Sequence, residues 1–249
     1  MGPPVQAALG NYSAISESLH PYYPLNVEIV GYLANEWTVP ILLSLFATGC
    51  TAIFGATFIS VKILRPGIPL SGDLLTIMWF VLSGCIHLFF EGYYAYNFKR
   101  MGGLQDLFGQ LWKEYSLSDS RYMTNNSFVL CMETITAFCW GPLSFVVAWT
   151  ITTQHVLRYP LQIIVSLGQL YGDVLYYGTS MFDHYILDIS YSRPEAFYFW
   201  GYYVLMNAFW IVIPFYLIWS AVSHITTSLN ALDRVEKTLK RNTLSKKGQ

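Results

Sequence analysis

Four short constellations in this chain carry residue types that can move a proton. His87 and Glu91 stand four apart in an apolar run, which puts an imidazole and a carboxyl on one helix face within hydrogen-bonding reach. Glu133, Thr136 and Trp140 follow at i, i+3 and i+7, a spacing that predicts one shared face on a 3.6-residue helix. Gln169 and Asp173 are again four apart, with Tyr176 and Tyr177 a turn further on, and Asn207 and Trp210 are three apart. Inside a membrane such groups need either partners or a use. The bland account is interhelical glue, and Gln169, Asp173 and Asn207 suit it as well as they suit chemistry. Two glutamates and a histidine exceed what glue requires. A buried, neutral carboxylic acid can protonate an alkene carbon, aromatic faces can stabilise the resulting cation, and a base can remove a neighbouring proton. The double bond then moves, and no metal or organic cofactor is needed.

These residues must be positioned by membrane helices. Apolar stretches over residues 39–61, 74–96, 128–151, 161–179 and 197–219 are each long enough to cross the hydrocarbon. The fourth holds Gln169 and Asp173, so hydropathy undercounts it. The expected fold is an all-α integral membrane protein whose five transmembrane helices enclose a lipid-accessible cavity. Residues 1–38 form a polar lead-in, 39–226 the membrane domain and 227–249 a basic tail. Within the lead-in, the prolines of LHPYYPL preclude a helix and its tyrosines suit a membrane interface. Between the second and third spans, LQDLFGQLWKEY reads as a short interfacial helix.

Composition narrows the class. Of 249 residues 54% are hydrophobic and 12% charged, about half the charged share of a soluble domain. A net charge of −1 leaves no basic stripe for nucleic acid. The cysteines (Cys50, Cys85, Cys131, Cys139) sit in apolar runs without metal-ligand spacing and read as small buried hydrophobes. Lys62, Arg65, Arg158 and six residues of the tail lie on one side of the expected topology, nine basic groups against five. That excess places the C-terminus in the cytoplasm and the lead-in across the membrane. Lys246 and Lys247, fourth and third from the end, form a dilysine pattern that suits retrieval to the endoplasmic reticulum. Asn11-Tyr12-Ser13 is a glycosylation sequon. Small residues such as Gly49 and Gly55 suit helix packing within or between chains, so a homodimer stays open.

The motifs QLWKEYSLSDSRY, LCMETITAFCWGPLS, GQLYGDVLYY and YFWGYYVLMNAFWIVIP, with LHPYYPL and GCIHLFFEG, closely resemble the emopamil-binding protein family, the sterol Δ8–Δ7 isomerases. They cover most of the chain from Leu19 to Pro214 in order. The resemblance implies a five-helix enzyme of the endoplasmic reticulum membrane that moves the 8(9) double bond of a sterol precursor to 7(8). By motif, His87, Glu91, Glu133 and Thr136 would handle protons, and Tyr115, Tyr122, Trp140, Asn207 and Trp210 would line or close the pocket. Asp119 and Arg121 read as a structural pair. The expected partners are a sterol or related polycyclic lipid, membrane lipid, and cationic amphiphilic amines that mimic the cation. The lead-in and the loop over 181–195 depart from the family pattern. Two alternatives therefore stand: an isomerase or cyclase of the same fold acting on another polycyclic terpenoid, or a sterol-binding or trafficking protein without catalysis.

Overall fold

The computed structural model describes residues 20–69 and 72–247, with side chains to residue 243. The Asn11 sequon lies outside the described residues, and the side chains of Lys246 and Lys247 do as well. Every regular element among the described residues is helical. α1 (Val39–Leu64) opens with Pro40 in its first turn, where a missing N–H costs nothing. α2 (Asp73–Cys85) passes through a π-helical turn (Ile86–Glu91) into α3 (Gly92–Asn97) and a 3₁₀ turn (Phe98–Gly103). α4 (Leu107–Tyr115) and a 3₁₀ turn (Ser120–Tyr122) precede α5 (Ser127–Ile135). A second π turn (Thr136–Trp140) joins α5 to α6 (Gly141–Thr152). α7 (Arg158–Ile186) comes next, then a π-helical stretch (Phe197–Met206) that runs into the 41-residue α8 (Asn207–Lys247).

Among the described residues, four helical segments are long and apolar enough to cross a membrane: Val39–Leu64, Asp73–Gly103, Ser127–Thr152 and Phe197–Thr243. α7 falls outside that group by composition, although its 29 residues would span ~43 Å. Its polarity is inverted: Gln162, Ser166, Gln169, Asp173 and Ser180 are buried, while Ile164, Leu167, Tyr171, Val174 and Phe182 face outward. The same apolar exterior continues over α1, where few residues besides Leu42, Thr57 and Val61 are buried.

Two packed layers hold the bundle. One gathers Val61, Ile68, Leu74, Ile77, Phe80, Val147, Ile151, Val165 and Leu217; the other gathers Tyr22, Tyr94, Met101, Trp112, Tyr122, Val129, Tyr176 and Tyr203. On α2–α3, α5–α6, α7 and α8 the residues between these layers carry the polar groups of the cavity described below. Close helix approach is set by small residues there: a Cβ on Gly141 would come within 3.0 Å of the Leu88 backbone nitrogen.

α4 is not an exposed interfacial helix. Residues 109–114 are buried, capped by Asp106, which accepts from Gly109 N at 3.1 Å. The lead-in covers them. Tyr22, expected at the interface, is 2% exposed and donates its hydroxyl to Lys113 O at 2.9 Å. Gln110 Oε1 accepts from the backbone N–H groups of Glu36 and Trp37, and Lys113 Nζ donates to Leu33 O and Gln105 Oε1, both at 2.8 Å. Residues 20–38 are thus tied down by buried polar contacts that hydropathy does not register.

Burial pushes the Lys113 amine down to about 8. An unfolded lysine titrates near ~10.4, so between those values the unfolded chain binds more protons and stability rises with pH. Below pH 8 the group is charged in both states and its desolvation weighs fully on the fold. Lys113→Met should therefore flatten the rise in thermal midpoint of detergent-solubilised protein between pH 8 and pH 10. An unchanged pH response would disprove this assignment.

Candidate active site

The polar constellations of α2–α3, α5–α6, α7 and α8 converge on one cavity of about 850 Å³, counted out to its mouth. His87, Glu91, Glu133, Thr136, Tyr115, Tyr122, Asn207 and Trp210 all line it, as do Gln169 and Asp173. Phe46, Ile86, Phe90, Trp112, Met132, Tyr176 and Met206 complete an apolar wall. The arrangement is an acidic centre set in aromatic and aliphatic surface.

At that centre His87, 2% exposed, places Nδ1 at 3.0 and 2.8 Å from the two carboxylate oxygens of Glu91. On its other edge, Nε2 is 3.0 Å from Gln169 Nε2 and 3.4 Å from Trp210 Nε1. An indole N–H can only donate, so Nε2 is the accepting nitrogen and the ring proton sits on Nδ1, facing Glu91. Both residues lie in the π turn over Ile86–Glu91, at the level of the cavity.

Glu133 approaches from α5. Its Oε1 accepts from Tyr122 OH at 2.7 Å, and its carboxyl interacts with those of Glu91 and Asp173. Burial and the Glu133 carboxyl hold the Tyr122 phenol well above its ordinary range, so it stays a donor. Tyr115 and Asn207 form a reciprocal pair at 2.9 and 3.3 Å, and Asn207 Nδ2 also donates to Tyr203 O at 2.7 Å. Thr136 lines the cavity while its hydroxyl donates to Met132 O at 2.8 Å within its own helix.

Trp140 is placed differently from the expectation. It is not among the lining residues; its indole packs behind the wall, where a Cβ on Gly168 would fall 2.5 Å from it. The cause is the π turn over Thr136–Trp140. One extra residue per turn rotates the downstream helix by roughly 100° relative to an α-helix, so the i+7 position leaves the face of Glu133. The apolar wall has no marker in the sequence pattern. Phe46, Phe90, Trp112 and Met132 look like ordinary packing residues until the bundle closes. Asp119 and Arg121, 0% and 1% exposed, form a buried ion pair at 2.6 Å that does not itself line the cavity but packs directly behind the lining Tyr176.

A helical membrane protein with two carboxyls and an imidazole buried in a lipophilic cavity forms a recognisable class: a catalyst or receptor for a large apolar ligand. Within that class this chain belongs to the EBP/EXPERA family. Residues 107–221 match the family's sequence model, EXPERA (EXPanded EBP superfamily). The chain is 37% identical over 217 residues to the 3-beta-hydroxysteroid-Delta(8),Delta(7)-isomerase of Rattus norvegicus, covering 86% of this chain and 92% of that one. Identity to the Mus musculus isomerase is 39%, with the same coverage. A shorter match, 34% over 143 residues, joins it to protoglabretal synthase of Citrus sinensis, over 57% of this chain and 65% of that one.

Proposed function

We propose that this protein is a sterol Δ8–Δ7 isomerase, an intramolecular isomerase that moves a ring double bond through a carbocation. One observation carries the reading: His87, Glu91 and Glu133 meet inside a cavity otherwise lined mainly by apolar and aromatic side chains. A proton from the Glu91–Glu133 pair adds to C9 of the 8(9) alkene and leaves a tertiary cation at C8. Loss of a proton from C7 then forms the 7(8) double bond. One proton enters and one leaves, so the carboxyl pair is restored without a cofactor. His87 orients Glu91 and Tyr122 orients Glu133. Thr136, Tyr115 and Asn207 shape the cavity around the rings, and Trp210 offers an aromatic face to the cation at about 0.5–2 kcal/mol.

The inverted polarity of α7 supports counting it as a fifth membrane span, with residues 39–226 as the membrane domain. The excess of basic residues beside the tail supports a cytoplasmic C-terminus, and the dilysine pattern supports the endoplasmic reticulum. Cationic amphiphilic amines fit the same cavity by pairing with the glutamates. The deciding experiment is a sterol profile in cells lacking their own Δ8–Δ7 isomerase. Loss of Δ8-sterols and appearance of Δ7-sterols on expression is the expected result. Persistence of Δ8-sterols beside folded, membrane-resident protein would refute the reading. A second reading, another polycyclic terpenoid as substrate, is favoured by the match to protoglabretal synthase. It predicts conversion of a triterpenoid under conditions where Δ8-sterols persist.

The orientation of His87 makes a separate prediction. Gln169→Glu puts an acceptor at Nε2, draws the ring proton there and leaves Nδ1 without a proton for Glu91. kcat should fall on the order of 10²-fold or more, as wrong tautomers do elsewhere, with KM little changed. Gln169→Leu removes a donor without supplying an acceptor, and Trp210 still faces Nε2, so its loss should be milder. Equal losses in the two variants would rule out control of the tautomer by Gln169.

A further inference from the structure

The cavity wall holds a third carboxyl that the proton transfer does not use. Asp173 is 8% exposed and Gln169, one turn earlier on α7, is 4% exposed. Both line the cavity. Asp173 Oδ2 and Gln169 Oε1 are buried oxygens without a hydrogen-bond partner in the protein. Other buried carboxyls are served. Glu91 faces His87 Nδ1, Glu133 accepts from Tyr122, Glu114 accepts from Tyr202 and Asp119 holds Arg121. A buried acceptor left unpaired opposes folding, so its presence calls for a donor from outside the chain.

We propose that Asp173, with Gln169 Oε1 beside it, is the subsite for the hydroxyl of the steroid substrate. This rests on the isomerase reading above and specifies how that substrate is held. The subsite offers two unpaired acceptor oxygens, which suits a neutral O–H donor. Its position also fits a hydroxysteroid. Gln169 touches His87, at the reacting bond, and Asp173 lies one turn, ~5.4 Å, along α7. In a 3-hydroxysteroid the hydroxyl sits on the end ring and the 7, 8 and 9 carbons belong to the ring fused to it. One helical turn on the protein therefore matches the one-ring offset on the ligand. With the hydroxyl anchored at Asp173, the fused ring is brought to the Glu91–Glu133 pair.

The test compares binding of a 3β-hydroxy Δ8-sterol and its 3-deoxy counterpart to the full chain in lipid nanodiscs. Quenching of intrinsic tryptophan fluorescence reports it, since Trp112 and Trp210 line the cavity. The wild type should favour the hydroxylated sterol about tenfold, the scale of one hydrogen bond. Asp173→Leu should bind the two sterols alike and show a higher thermal midpoint, because an unpaired buried acceptor has been removed. Asp173→Asn, which keeps an acceptor oxygen, should retain a preference for the hydroxyl. Equal affinities in the wild type, a preference that survives in Asp173→Leu, or an Asp173→Leu variant that is destabilised or fails to fold would each overturn the subsite. Isomerisation is assayed on the same samples. A wild type that discriminates the hydroxyl yet forms no Δ7 product retires the isomerase reading and leaves the subsite standing.

Discussion

Glu133→Gln should reduce isomerisation by on the order of 10³–10⁴-fold while leaving a folded protein that still binds sterol. The substitution keeps size and shape, and Tyr122 can still donate, now to the amide oxygen where it bonds Oε1 at 2.7 Å. What it removes is the exchangeable proton and the negative charge. The amide can neither deliver a proton to C9 nor stand as an anion beside the C8 cation. Glu91 alone would have to protonate and deprotonate opposite ends of the same three-carbon unit, with no second carboxyl to return the proton. Single-turnover conversion of a Δ8-sterol in nanodiscs, with binding measured on the same preparation, separates chemistry from affinity. Near-normal turnover in Glu133→Gln would remove this residue from the proton-handling group. A loss of binding equal to the loss of rate would make it a binding residue only.

The largest effect on stability should come from the Asp119–Arg121 pair. Arg121 Nε lies 3.0 Å from both Asp119 oxygens, its Nη2 is 2.6 Å from Oδ2, and its Nη1 donates to Thr179 Oγ1 at 2.8 Å. The guanidinium also stacks 4.8 Å from the Tyr176 ring centre. It therefore joins the turn that carries Tyr122 to α7, with nearly all of its donors satisfied. Arg121→Met leaves Asp119 buried, fully enclosed and unpaired, which costs about 3–5 kcal/mol. Asp119→Asn should cost less, because the amide still accepts from Arg121. A fall in thermal midpoint with Arg121→Met that is clearly larger than with Asp119→Asn is the expected order. Catalytic loss in Arg121→Met should track unfolding, so residual folded protein keeps its turnover number. A folded Arg121→Met protein with abolished turnover would place the pair in the chemistry.

Much of this site was legible because polar residues in a membrane are rare and each has to be explained. His87 with Glu91 and Asn207 with Trp210 stood out by spacing, and Glu133 by charge alone. α7 reads as a fifth span because its polar residues repeat on one face, although by composition it falls outside the four spanning segments. Other features left no periodic trace. The π turns change the number of residues per turn without any marker in composition, which is why Trp140 was expected on the face of Glu133. The aromatic wall of Phe46, Phe90 and Trp112 was hidden because an apolar side chain lining a cavity has the same sequence signature as one filling a core. The burial of α4 depends on hydrogen bonds from Gln110 and Lys113 to the lead-in, contacts between segments some seventy to eighty positions apart. Local pattern cannot carry such information.

The inverted polarity of α7 bears on how the protein is made. Asp173 lies near the middle of that helix; if α7 crosses the bilayer, as proposed above, a carboxylate there would add about 3 kcal/mol to the cost of leaving the translocation channel for lipid. Gln162 and Gln169 add to that cost. α7 is thus a poor candidate for lateral release as a single segment, and its neighbours supply what lipid cannot. Gln162 Nε2 donates to Leu217 O at 2.9 Å, and Tyr177 OH donates to Tyr203 O and Val204 O at 3.0 and 2.8 Å, all from the segment Phe197–Thr243. The segment that follows α7 thus completes its polar contacts. On the proposed five-span topology, formation of the cavity and insertion of its least lipophilic wall would be one event, in which α7 and α8 enter the bilayer as a pair.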